Sequence, residues 1–138
     1  MPIKLPSTIA PLLAWSRSEV TDALQRRECP FATNIETAVF VACYGFHKSN
    51  GKLPPAPNAY LAKEPIAAAT YQTDDLFSQI LMMAVAASQD ASVISDEDKL
   101  CRIFEAFADH GAKAIVDNYS APFDQDVLLE LMRELPSP

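Results

Sequence analysis

The sequence predicts an all-α fold, a compact irregular bundle of five or six helices. Three observations predict it. Only three glycines occur, Gly45, Gly51 and Gly111. No stretch alternates apolar and polar residues at the period of two that a half-buried strand needs. Alanine and leucine are abundant while β-branched runs are absent, a bias that favours helix. The 138 residues predict a single helical domain over 1–138. A chain of this size buries about two thirds of its unfolded surface, enough for a core without staples.

The elements follow from their starts and stops. Residues 1–15 form a Pro-containing N-terminal segment, with Pro2, Pro6 and Pro11. Ser16-Arg17-Ser18-Glu19 reads as a capping box opening a helix that ends by Pro30. Thr33-Asn34-Ile35-Glu36 is a second box. It opens a helix whose Ile35, Val39, Phe40, Cys43 and Phe46 recur at three- and four-residue spacing. Gly51 stops it. Residues 49–64 are a Pro-rich connecting loop, extended through Leu53-Pro54-Pro55-Ala56-Pro57. Pro65 suits the first turn of a short helix through Ala69. Thr73 or Asp74 caps a helix over Asp75 to Ser88, apolar on nearly every side and so expected at the bundle centre. Ser95-Asp96-Glu97-Asp98 opens the longest helix, to Tyr119. Its core face is Leu100, Ile103, Phe104, Phe107, Ala108, Ala114 and Ile115, and Gly111 within it marks a close crossing or a break. Asp124 caps a last helix before Pro136, with Val127, Leu128, Leu131, Met132 and Leu135 inward. Unequal helix lengths and the Pro-rich loop argue against up-down regularity.

Composition excludes some classes. Hydrophobic residues make 49% and charged residues 21% of the chain, too apolar for a disordered protein. The longest apolar run, Ile80 to Ala87, falls far short of the roughly 18 residues a membrane span needs. Cys29, Cys43 and Cys101 are odd in number and far apart, which fits a reducing compartment. The N-terminus lacks the apolar core of a signal peptide. A cytoplasmic protein without a membrane partner is expected.

Charge is unevenly placed. Eleven basic and 18 acidic residues give a net −7. Residues 1–69 hold 7 basic and 5 acidic residues, net +2, whereas residues 70–138 hold 4 and 13, net −9. A dipolar surface suits protein partners better than bare nucleic acid, which needs a basic stripe. The plainer reading is that the acids solvate exposed helix faces.

Several groups invite a chemical reading. Asp96-Glu97-Asp98-Lys99 resembles part of a metal-dependent nuclease site, but these residues open a helix and suit its dipole and free N–H groups. Asp124-Gln125-Asp126 lacks the glycine and distant glutamate of a calcium loop. His47 and His110 have no neighbours at metal-ligand spacing. Nucleophile-elbow, P-loop and dinucleotide motifs are all missing. No catalytic residue, metal or cofactor is assigned. Arg26-Arg27 ends one helix, and Lys48 and Lys52 bracket Gly51. These four, near Phe31, Phe46 and His47, are read as one small basic patch. Dipole complementation and solvation are the plainer account of it.

One stretch carries a resemblance. Phe31-Ala32-Thr33, Val39 through Lys48, and Leu53-Pro54 give an apolar helix, a Gly-Phe-x-basic end and an apolar-proline exit. Glu64-Pro65-Ile66, the helix Leu76 to Ala87, Val93 to Glu97 and Ile103 to Gly111 follow in order. Over approximately residues 28–117 this order resembles the small proteins associated with bacterial DNA phosphorothioation (Dnd) systems. In those systems one gene set exchanges a non-bridging phosphate oxygen for sulfur, and a second restricts unmarked DNA. The resemblance implies an accessory role in anti-phage defence and no known catalytic residue. The loop His47-Lys48-Ser49-Asn50-Gly51-Lys52 departs from it in being less basic than the family leads one to expect.

The expected function is therefore an accessory, non-catalytic interaction subunit of such a system, partnered by its other proteins. Phe46, His47, Lys48 and Lys52 are the candidate contact face, with Glu64, Pro65 and Ile66 alongside. The alternatives are a DNA binder or regulator using Arg26, Arg27, Lys48 and Lys52, with weak direct DNA contact, a metal-dependent nickase using Asp96 to Lys99, and an acidic immunity-type inhibitor.

Overall fold

The computed structural model describes residues 2–63, 65–72 and 74–135. Among these the chain is all-α, with isolated β-bridges and no strand. The α-helices are α1 (Ala23–Glu28), α2 (Asn34–Lys48), α3 (Ala68–Tyr71), α4 (Asp74–Ser88), α5 (Glu97–Asn118) and α6 (Gln125–Glu134). Three 3-10 segments, Ser7–Trp15, Arg17–Glu19 and Ala91–Ser95, join them.

The caps explain most boundaries. Thr33 Oγ1 accepts from the Glu36 amide, and Glu36 Oε2 accepts from the Ala32 amide at 3.0 Å. The box is therefore closed one residue upstream of its usual partner. Asp96 Oδ1 accepts from the Lys99 amide at 3.1 Å and starts α5. Asp124 Oδ1 takes the amides of Asp126 and Val127 and starts α6. The cap assigned to Thr73 or Asp74 rests on side chains outside the described residues, as does Pro136.

The Ser16 box does not open a helix. Arg17–Glu19 is a single 3-10 turn, and α1 begins only after Asp22, whose carboxylate accepts from the Leu24 and Gln25 amides. Ser16 is buried instead, its hydroxyl 2.6 Å from that of Thr37 on α2. A hydroxyl with a buried partner inside the bundle is not available to cap. The short helix expected from Pro65 to Ala69 also starts later, at Ala68, with Ile66 held in a bridge to Ile3.

The central element is α5, not α4. Along α5 twelve residues are buried, among them Phe104, Phe107, Ala112 and Ile115. On α4 only Ile80, Met83 and Ala84 are buried, and Met82 is 72% exposed. A largely apolar helix surface does not by itself place a helix at the centre; α4 lies outside, with Asp75, Ser78, Gln79, Met82 and Ala86 exposed. Similarly Leu128 and Leu131 anchor α6, but Met132, expected inward, is 53% exposed.

Two packings fix α5. On one side α2 crosses it at Gly45 and Gly111. The N-terminal segment also packs on α5, reaching α2 at Trp15, and contributes Ile3, Leu5, Ile9, Leu12, Leu13 and Trp15 to the core. Pro11 within Ser7–Trp15 denies the chain a regular α ladder, so the segment winds as 3-10 and still turns an apolar face inward. No helix among the described residues is long and apolar enough to cross a membrane.

Candidate functional site

The sequence-predicted site residues fall in three places. The first is the C-terminal end of α2. Phe46 lies against Phe107 of α5, ring centroids 5.3 Å apart. The chain then turns through Asn50 and Gly51, both at positive φ, and brings Gly51 under the Phe46 ring. Cys43, Phe46, His47, Asn50, Gly51 and Leu135 line an open hollow of about 420 Å³. Lys48 and Lys52 stand exposed at the same end of the helix.

Lys48 is not a free cation there. Its Nζ is 3.1 Å from Glu134 Oε1 and 5.5 Å from the Tyr44 ring centroid. Glu134 Oε2 also accepts from the Tyr44 hydroxyl at 2.6 Å and the Tyr119 hydroxyl at 3.1 Å. These donors, Tyr44 first, hold the Glu134 carboxyl below the usual glutamate range. One carboxylate thus ties the end of α6 to α2 and α5. Burial pushes the Cys43 thiol up to about 11, so it stands as a neutral group in the wall of the hollow.

The second place is the far end of α2. Arg26 and Arg27 sit in the last turn of α1, and with Arg17 and Ala23 they line a separate hollow of about 450 Å³. Arg17 and Ser18 donate their amides to Phe31 and Ala32, which places this group beside the start of α2. A 15-residue helix is about 22 Å long, so these arginines and Lys48 do not make one patch. The helix that separates them in sequence also holds them apart in space.

The third place is the 59–66 segment. Ile66 exchanges amide bonds with Ile3 and is half-buried, and Pro65 is exposed beside it. Glu64 lies outside the described residues. This segment meets α5 on the Glu105 side, both through the N-terminal segment and through Tyr60, which lies beside the Glu105 carboxyl. Glu105 and Phe107 are about 160° apart around the helix, so Ile66 and Phe46 face opposite sides of the bundle.

The sequence reading did not single out the buried acids of α5. Glu105 is 0% and Asp109 3% exposed. Glu105 Oε2 accepts from the Lys4 amide at 2.7 Å and lies 3.2 Å from Arg102 Nη2. Asp109 Oδ1 accepts from Thr8 Oγ1 at 2.7 Å, and its Oδ2 pairs with Lys113 at 2.9 Å. Arg102 also donates to the Pro2 carbonyl. Burial raises the Glu105 carboxyl above its ordinary range, against the Lys4 amide and Arg102. The signal was present: an acid pair at i,i+4 inside an otherwise apolar helix face. The pair clamps the N-terminal segment onto α5.

The Asp96–Lys99 run is a helix start. Asp96 caps, Asp98 lies 3.9 Å from Arg102, and Glu97 accepts from Gln72. Among the described residues no group of His, Cys, Asp and Glu is arranged to hold a metal ion.

An all-α bundle built around one central helix, with an open hollow at each end of α2, is the class of protein these features define. The chain belongs to the family of DNA sulphur modification system-associated protein 4, whose family model matches residues 14–137. No curated protein and no solved structure matches it.

Proposed function

We propose that the protein is a non-catalytic accessory subunit of its DNA sulphur modification system, docking another protein of that system at the C-terminal end of α2. The observation that carries this reading is the mainly apolar hollow of Cys43, Phe46, His47, Asn50, Gly51 and Leu135, with exposed Lys52 next in the chain to Gly51. A hollow with apolar walls and a cation beside it suits an apolar side chain followed by an acidic one. Lys52 has no ion-pair partner among the described residues, whereas Lys48 is held by Glu134. Membership of the family supports a partner drawn from the DNA sulphur modification system.

Pairwise binding between the purified chain and each purified protein of the system tests the reading. One of them binds the wild-type chain, and His47→Glu with Lys52→Glu weakens that complex at least about tenfold while leaving the fold unchanged. Absence of any binary or ternary complex, or a complex indifferent to both substitutions, overturns it.

A further inference from the structure

The five arginines of the chain divide into two groups. Arg102 and Arg133 each pair with a carboxylate, Glu105 at 3.2 Å and Glu130 at 2.6 Å. Arg17, Arg26 and Arg27 have no carboxylate partner among the described residues. These three, with Ala23, line an open hollow beside the start of α2.

The acids nearest in sequence are engaged elsewhere. Glu19 accepts from Asn34 at 2.6 Å and from Lys63 at 2.9 Å. Asp22 caps α1, and Glu36 takes the Ala32 amide. Glu28 lines a different hollow, with Trp15 and Phe123. Complementing the α1 dipole accounts for Arg26 and Arg27 at most, because Arg17 lies outside that helix.

Three guanidinium groups around one hollow repel one another, and each presents a fixed fork of donors that matches paired oxyanion oxygens. They also stand in the half of the sequence with net charge +2. The family's system acts on DNA. We infer that Arg17, Arg26 and Arg27 form a contact site for the phosphodiester backbone of a DNA duplex. The site is independent of the docking face at the other end of α2 and uses none of its residues.

Fluorescence anisotropy of the full chain with a labelled duplex tests it, from roughly 50 mM salt upward. Binding should weaken with salt at a log–log slope of about −2.7, near −0.9 for each of three phosphates neutralised. Arg17→Ala with Arg26→Ala and Arg27→Ala abolishes binding. Arg26→Gln with Arg27→Gln, which keeps side-chain length, reduces the slope by about 1.8. Arg133→Ala, at an exposed arginine paired with Glu130, leaves affinity and slope unchanged, and far-UV circular dichroism reports the fold of every variant. No binding at the lowest salt, a triple variant that still binds with the wild-type slope, or an equal loss in the Arg133 variant overturns the assignment. So does a poly-glutamate peptide that competes as well as duplex at equal charge, which would make the site one for acidic protein.

Discussion

Gly45 and Gly111 meet backbone to backbone where α2 crosses α5: a Cβ on Gly45 would lie 2.7 Å from the Gly111 nitrogen, and a Cβ on Gly111 would lie 2.9 Å from the Gly45 nitrogen. Each added carbon would also meet a carbonyl, at 2.2 Å from Phe107 O and 2.0 Å from Val41 O. Backbone atoms cannot swing aside as a side-chain tip does. Gly45→Ala or Gly111→Ala therefore forces the helices apart. Either change should destabilise the chain by about 1–3 kcal/mol or more in urea unfolding, despite the better helix propensity of alanine. Wild-type stability in both variants would show that the crossing is looser than described.

Glu134 is the common acceptor for Tyr44, Lys48 and Tyr119. Tyr44 is almost fully buried, so losing its acceptor is the costly part. Glu134→Ala should cost about 1–2 kcal/mol, with Glu134→Gln intermediate. The folded carboxyl lies below its ordinary range. Its contribution is thus complete above the unfolded-state pKa and is lost as pH falls through the folded value. Urea midpoints measured across the acid range should converge for wild type and Glu134→Gln at low pH.

Glu105 has the opposite sign. Its folded carboxyl is raised, chiefly by burial. Stability from this group is present below the unfolded-state pKa and declines as pH rises through the folded value. Glu105→Gln removes that decline, and unfolding curves against pH should show a flatter alkaline side of the glutamate range than wild type. Thr8→Val, which strips Asp109 of one buried donor, should cost about 1–3 kcal/mol.

Asp96 and Asp98 separate the capping and chemical readings of the acidic run. Asp96→Ala removes the side-chain acceptor at the start of α5 and should cost about 1 kcal/mol. Asp98 makes only an exposed contact to Arg102, and Asp98→Ala should change stability by a few tenths of a kcal/mol. Equal, large effects on stability would contradict the assignment of Asp96 as the sole cap.

Local signals were legible in the sequence. Thr33, Asp96 and Asp124 cap their helices because a short polar side chain before an apolar-periodic run has few other uses. Gly111 in mid-helix left a close crossing and a break both open, and the contact with Gly45 decides for the crossing. Ser16 misled because its hydroxyl finds a tertiary partner in Thr37, which no local pattern reveals. The largely apolar α4 misled because hydrophobicity ranks faces, not positions in a bundle. The candidate site was legible only in pieces. Phe46 and His47 do line one hollow, but joining them to Arg26 and Ile66 required knowing which ends and faces of α2 and α5 those residues occupy.

The clamp on the N-terminal segment sets an order of assembly. Lys4 meets Glu105 and Thr8 meets Asp109 across 101 residues, and Trp15 donates to the Asp124 carbonyl across 109. Such separations give a helical protein an unusually non-local component. During synthesis the segment from Ile3 to Trp15 must wait for α5 and the start of α6 before it finds its seats. Until then Ile3, Ile9, Leu12 and Trp15 stay uncovered, and helices made later settle a segment made long before them.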